Sequence, residues 1–452
     1  MRNKRKRVLK AGAGAVAAVI VLLGSAAEAQ TELIEAVLGN LPREPQALAD
    51  AIVEDVAAIR GLEFQREISV SNQSRDEFER YIASEMDRTL PAERAGVFGR
   101  VVNKLGLYRG PIIEDMTQMI TLLATSQAAA YYNPDESAFY VLLPDAPLAM
   151  LAPIYAHELY HGLQDQYFDL DAYLLDGVSD GLNDDQMLAR QAVVEGEATY
   201  IMTLWLLREM TGQVPAGFAL DMAVNLQTQM DSSGLRELAA SGIVPGGLDP
   251  SLEASIAAMD EIPLFMLETM LGAYLKGMGF VHQIVRGGWD GADELYTDPP
   301  QSTEQILHPE KWRERDDPVT IELPDPSLAD SLDGWTLLDS NVIGEFQWRI
   351  IFDEFEMLDR SDSVAAGWDG DRFAVLESDE DLLLLVYTSW DTEADAREFA
   401  SAYSELLGTK YPDGSEPVAV EVRGLDVLVV EGGASERLPA LVEWLASARK
   451  IG

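Results

Sequence analysis

The chain has 452 residues, 47% of them hydrophobic, a net charge of −44, four histidines and no cysteine. That length supports two or three domains whose cores need no disulfide staples. The charge excludes nucleic acid and anionic membrane as partners, because both repel it, and the missing cysteine excludes a lipid-anchored lipoprotein.

The N-terminus reads Met1-Arg2-Asn3-Lys4-Arg5-Lys6-Arg7, then an apolar run from Ala11 to Leu23, then Ala27-Glu28-Ala29. A basic start, a short apolar stretch and an A-x-A site predict a secretory signal over 1–29, cleaved after Ala29. The alternative is an uncleaved N-terminal anchor. The leader carries six basic residues and one acid, so its loss takes the net charge from −44 to −49. No later segment reads as a membrane span. The mature chain is expected outside the cytoplasm, in the medium, periplasm or cell envelope. Its basic residues are mostly Arg, and an acidic surface poor in Lys suits a salty environment.

Residues 30–125 predict a helical region, either a pro-segment or part of a catalytic domain. Spacings of three and four place helices at Leu33–Leu38, Pro45–Arg60, Asp76–Leu90 and Ala92–Leu107. Two β-prone runs around Asn133-Pro134-Asp135 predict a hairpin over 130–142. A helix follows from about Met150 to Tyr167, with Pro153 in its first turn. The loop 169–185 is acidic, and carboxylates are calcium ligands, so calcium is weighed there despite the missing EF-hand spacing. Further helices are predicted at Asp184–Met210, Ala219–Met230, Leu252–Met259 and Pro263–Arg286. Residues 317–332 read as a linker. The remaining 333–452 predict a small accessory domain, with strands at Arg372–Glu377, Leu382–Trp390 and Leu425–Val430 and helices at Thr392–Leu407 and Ser435–Ala448. It holds no histidine.

The chemistry concentrates in the region 126–316. Two of the four histidines fall in His157-Glu158-Leu159-Tyr160-His161, a HExxH pattern that composition does not explain. On a helix, residues i and i+4 share a face, so both imidazoles reach one metal ion, while Glu158 projects towards a water. A catalytic zinc takes three protein ligands and leaves one position open. The metzincin continuation fails, since Gln164 and Tyr167 stand where glycine and histidine belong. A carboxylate from a later helix is the remaining choice. Glu195, in Val194-Glu195-Gly196-Glu197-Ala198, sits in an apolar stretch where an unpaired carboxylate is costly. The bland readings are coincidental spacing on a surface helix for the histidines, and a buried salt bridge to Arg190 for Glu195. His282 reads as a satisfied core histidine.

These residues resemble the gluzincin superfamily of zinc metallopeptidases, in which a glutamate on a second helix is the third ligand. The stretches His157–Gln166, Glu195-Gly196-Glu197-Ala198 and Ser302-Thr303-Glu304-Gln305-Ile306-Leu307-His308-Pro309 are also similar to a group of exported microbial proteins. The resemblance spans roughly 128–312. It implies a mainly helical zincin-like metallopeptidase domain with a small edge sheet, and with the smaller C-terminal α/β domain read from its strand and helix pattern the expected fold class is α+β. It implies one zinc ion held by His157, His161 and Glu195, with Glu197 as the competing third ligand, and Glu158 as the base that takes a proton from water. His308 is the implied partner of the oxyanion, with Tyr274 and Tyr296 in reserve, and a structural role before Pro309 is its bland reading. Asp165 and Glu197 are implied to orient a histidine through its other ring nitrogen. Ala138, Phe139 and Tyr140 are implied as the edge strand that pairs with a peptide. The expected function is a secreted zinc metallopeptidase acting on a peptide or protein. The alternative is a non-catalytic exported zinc-binding protein. Substrate preference and oligomeric state are not legible in the sequence.

Overall fold

The computed structural model describes residues 38–90, 92–176, 181–240, 258–378 and 381–451. The expected signal over 1–29, nearly all of the helix expected at Leu33–Leu38 and most of that expected at Leu252–Met259 lie outside the described residues. The protein is a mixed α+β structure. It divides into two compact units, one from residues up to 92, 117–182 and 187–299, the other from 93–116, 183–186 and 300 onward.

The first unit opens with α1 (Pro45–Arg60), where the Glu44 carboxylate accepts from the amides of Gln46 and Ala47 and Gly61 ends the helix at φ 77°. A short strand, β1 (Ser69–Asn72), leads to α2 (Arg75–Thr89), which starts with a capping box between Ser74 and Glu77. Next come α3 (Ala92–Leu105), which contributes to the second unit, and α4 (Met116–Gln127). The hairpin strands are β2 (Ala130–Asn133) and β3 (Ala138–Val141). The three strands form one sheet in the order β1-β3-β2, with β1 parallel and β2 antiparallel to β3. This corrects the expected edge role of Ala138, Phe139 and Tyr140. Ser69–Asn72 pairs with the other side of β3, so that strand has no free edge and β1 and β2 are the outer strands. Phe78, Ile82 and Met86 of α2 pack with Ala124, Ala128, Tyr131 and Leu142 as a local core.

Helix α5 (Leu148–Phe168) begins two residues before the expected start, so Pro153 lies inside it and not in its first turn. It is buried without interruption from Leu148 to Gln164, as expected for a helix that is apolar around most of its circumference. Helix α6 (Asp184–Thr211) is the long helix of the sequence reading, followed by α7 (Phe218–Thr228), α8 (Ser232–Ala240), α9 (Leu264–Val285) and α10 (Asp290–Thr297). By length and composition α9 is long and apolar enough to cross a membrane, yet 72% of its apolar window is buried inside the protein. It serves as a core helix. Helices α6 and α9 cross at glycine on both sides. A Cβ on Gly196 would stand 2.1 Å from the Gly277 carbonyl carbon, and one on Gly277 would stand 2.0 Å from the Ala192 oxygen.

The second unit continues with α11 (Thr303–Leu307), α12 (Pro309–Glu314), β4 (Thr320–Glu322), β5 (Thr336–Asn341), α13 (Glu345–Glu354) and α14 (Ser361–Ala365). It ends with β6 (Trp368–Glu377), β7 (Leu382–Trp390), α15 (Glu393–Lys410), β8 (Val418–Arg423), β9 (Asp426–Glu431), α16 (Leu438–Ala446) and β10 (Arg449–Ile451). Five strands pair antiparallel throughout, in the order β5-β6-β7-β9-β8. Leu383, Leu385 and Tyr387 of β7 point to a core shared with Leu441, Val442 and Leu445 of α16. Alternation puts Leu384 and Val386 on the other face, where α13 and α15 bring Trp348, Phe399 and Tyr403 together edge to face. Helices on both faces explain why β7 is apolar at nearly every position. The expected linker 317–332 contains β4, which pairs with β10 and makes that segment part of this unit.

Candidate metal centre

Helix α5 places His157 and His161 one turn apart on one face, with ring planes nearly perpendicular at 88° and centroids 4.6 Å apart. Their Nε2 atoms are 3.0 Å apart. Glu195 arrives from α6, its Oε2 standing 3.4 Å from His157 Nε2 and 3.3 Å from His161 Nε2. Ligand atoms about 2.1 Å from a tetrahedral zinc stand about 3.4 Å from one another. The two edges to Glu195 match that spacing, and the edge between the two imidazoles is shorter. Among the described residues, it is the group of His, Asp and Glu side chains whose ligand atoms converge closely enough to hold an ion.

The electrostatics couple the three residues. All three residues are buried, and Glu195 Oε2 has no hydrogen-bond partner. Burial pushes His157 down to about 4. Burial also disfavours charge on His161, but the Glu195 carboxylate outweighs it and holds His161 up at about 9. Burial opposes ionisation of Glu195 too, and the two imidazoles overcome it, keeping its carboxyl well below the usual range. The donor set, two imidazole nitrogens and one carboxylate oxygen, suits zinc.

Glu158 points the other way, towards the sheet. Its Oε2 accepts from the amide of Tyr132 in β2 at 2.9 Å, while Oε1 has no partner. Burial raises its carboxyl to about 8, against the opposing pull of His161 and the Tyr132 amide. A buried carboxylate with one oxygen anchored and one free is equipped to accept a proton.

The neighbours of the three converging residues sort the remaining expectations. Glu197 is drawn away from the histidines by Arg60, whose Nε donates to Glu197 Oε1 at 2.8 Å. Glu197 Oε2 accepts from Tyr296 Oη at 2.6 Å and from Gln164 Nε2 at 3.2 Å. Glu195 and Glu197 therefore divide, one towards the histidines and one towards Arg60. Asp165, expected beside an imidazole, instead accepts from Arg66 Nη2 at 3.0 Å and from Tyr132 Oη at 2.9 Å. It anchors the residue whose amide anchors Glu158. Tyr274 stacks on the His157 ring, 5.6 Å between centroids and 12° between planes. Arg190 donates to the Tyr173 carbonyl at 2.8 Å.

His308 belongs to the second unit, where its Nε2 lies 2.9 Å from Glu345 Oε1 and that hydrogen bond raises its pKa. Its motif is built into the fold locally. Ser302 caps α11, Thr303 Oγ1 donates to Asp185 at 2.5 Å, and Lys311 donates to Glu304 at 2.6 Å. His282 is satisfied by Tyr200 Oη at 3.2 Å and Asp221 Oδ1 at 2.9 Å. In the acidic loop, Asp169 accepts from the Ala172 amide and Asp185 from Thr303, and 177–180 lie outside the described residues. Among the described residues no calcium-like cluster of carboxylates forms there.

The sequence reading did not single out Gln164 as a contact, nor Arg60. Gln164 carried a signal, since it lies one turn from His161 on the same face. Arg60 carried none, being 100 residues from Tyr160 and 137 from Glu197.

A family model described as a domain of unknown function (DUF8575) matches residues 336–442, within the second unit. No curated protein and no solved structure matches the chain.

Proposed function

We propose that the protein is an exported zinc-dependent metallopeptidase of the gluzincin type. One observation carries the reading: three metal-competent atoms on His157, His161 and Glu195 converge to within 3.0–3.4 Å of one another, beside a buried glutamate with a free carboxylate oxygen. Three protein ligands are the count of a catalytic site, whereas closed structural sites use four. A bound zinc supplies Lewis acidity, which acidifies a water and polarises a carbonyl. His157, His161 and Glu195 hold the ion, and the Tyr132 amide holds Glu158 at its near oxygen. The far oxygen takes the water's proton and returns it to the leaving amine.

Ala138–Tyr140 have no substrate-strand role in this reading, because both their edges are paired. His308, held by Glu345, is not assigned to the oxyanion. The second reading, a non-catalytic zinc-binding protein, draws on the complete burial of Glu158. Glu158→Gln separates the two. The variant keeps zinc and loses peptide hydrolysis about 10²–10⁴-fold if Glu158 is the base. Unchanged hydrolysis in a zinc-loaded Glu158→Gln protein overturns the proposal.

A further inference from the structure

Gln164 is fully buried on α5, three residues past His161. Its amide nitrogen donates to the Val194 carbonyl at 3.1 Å and to Glu197 Oε2 at 3.2 Å. Both of those oxygens only accept, so the amide nitrogen faces them and Oε1 must face the other way. Oε1 stands 2.8 Å from His161 Nδ1. An amide oxygen also only accepts, so Nδ1 carries a proton. In the neutral ring, Nε2 is then left with its lone pair aimed at His157 and Glu195. Glu197 cannot swing away to free the amide, because Arg60 Nε and Tyr296 Oη donate to its two oxygens at 2.8 and 2.6 Å. Arg60 is itself buried at 2% exposure and stacks over the Trp289 ring.

We propose that Gln164 is a positioning residue that selects the Nδ1–H tautomer of His161, and that Glu197, anchored by Arg60, locks the Gln164 amide in the orientation this requires. The inference rests on the zinc reading above. A carboxylate that would ordinarily contact a ligating imidazole acts here through an intervening amide. The same amide grips the backbone of Val194, the residue before Glu195, and so ties one ligand's ring to another ligand's helix.

The test is zinc affinity, measured by competition with a chromophoric chelator, on the wild type and Gln164→Leu. Gln164→Leu removes the acceptor for Nδ1–H, and its affinity is expected to fall about 10–100-fold. A wild type that binds zinc with a Gln164→Leu variant that binds equally well overturns the relay and leaves the zinc reading standing. A wild type that takes up no zinc overturns the zinc reading and the relay with it. Nitrogen-15 shifts of the His161 ring in the zinc-free wild type, recorded at a pH where the ring is neutral, give an answer independent of variant folding. A proton on Nδ1 supports the relay, and a proton on Nε2 overturns it.

Discussion

Replacing Gly196 by alanine tests whether the crossing of α6 and α9 sets the proposed metal centre. The new Cβ would stand 2.1 Å from the Gly277 carbonyl carbon and 2.5 Å from its oxygen, where ordinary contact begins at 3.4 Å. The obstacle is backbone, so no rotamer change relieves it. The helices must separate by about 1.3 Å, the difference between 3.4 and 2.1 Å. Overpacking of this kind costs up to about 3 kcal/mol. The better helix propensity of alanine returns about 1 kcal/mol, leaving a net loss of about 2 kcal/mol. Glu195 and Glu197 flank the crossing, and metal ligands tolerate displacements of only about 0.2 Å. Gly196→Ala is therefore expected to lower both the urea midpoint, followed by circular dichroism, and the zinc affinity. A contrasting site is Gly408 in α15, where nothing lies within 4 Å of an added Cβ. Gly408→Ala is expected to raise stability by about 0.5–1 kcal/mol. A Gly196→Ala protein with an unchanged midpoint and unchanged zinc affinity would refute the crossing argument.

Glu195→Ala and Glu197→Ala should fail in different ways. The first loses zinc with little loss of fold, whereas the second leaves the buried Arg60 short of a counter-charge and is destabilised by about 3 kcal/mol. Metal analysis paired with thermal melts distinguishes them, and zinc retained by Glu195→Ala contradicts the ligand assignment. A third prediction concerns Asp185, whose carboxyl burial raises to about 8 despite hydrogen bonds from Thr303. For a carboxyl raised above its unfolded value, the folded state holds the proton more tightly. The contribution to stability is greatest below about pH 4 and declines as pH rises to about 8. Asp185→Asn should flatten the stability profile between pH 4 and 8, and a profile parallel to wild type would count against the burial argument.

Much of the candidate metal centre was legible because helical periodicity is local. His157 and His161 announce a shared face by their spacing, and the apolar setting of Glu195 marks a carboxylate in need of a partner. The choice between Glu195 and Glu197 was not legible. It depends on Arg60, the last residue of a helix far upstream, which claims Glu197. The expectation for Ala138–Tyr140 failed for a related reason. The strand that covers them, Ser69–Asn72, is short and polar and gives no alternating signal of its own. In the second unit, the apolar run of β7 read clearly as a strand. The outer strands β5 and β8 were missed, because neither has a run of buried residues and their sequences are mixed.

The central claim is that His157, His161 and Glu195 hold a zinc ion that works with Glu158. The most direct measurement is digestion of a peptide library by the purified protein, with zinc content determined on the same sample. The account predicts about one zinc per chain, cleavage abolished by a chelator, and cleavage restored by added zinc. Cleavage that persists after the zinc has been removed would contradict it.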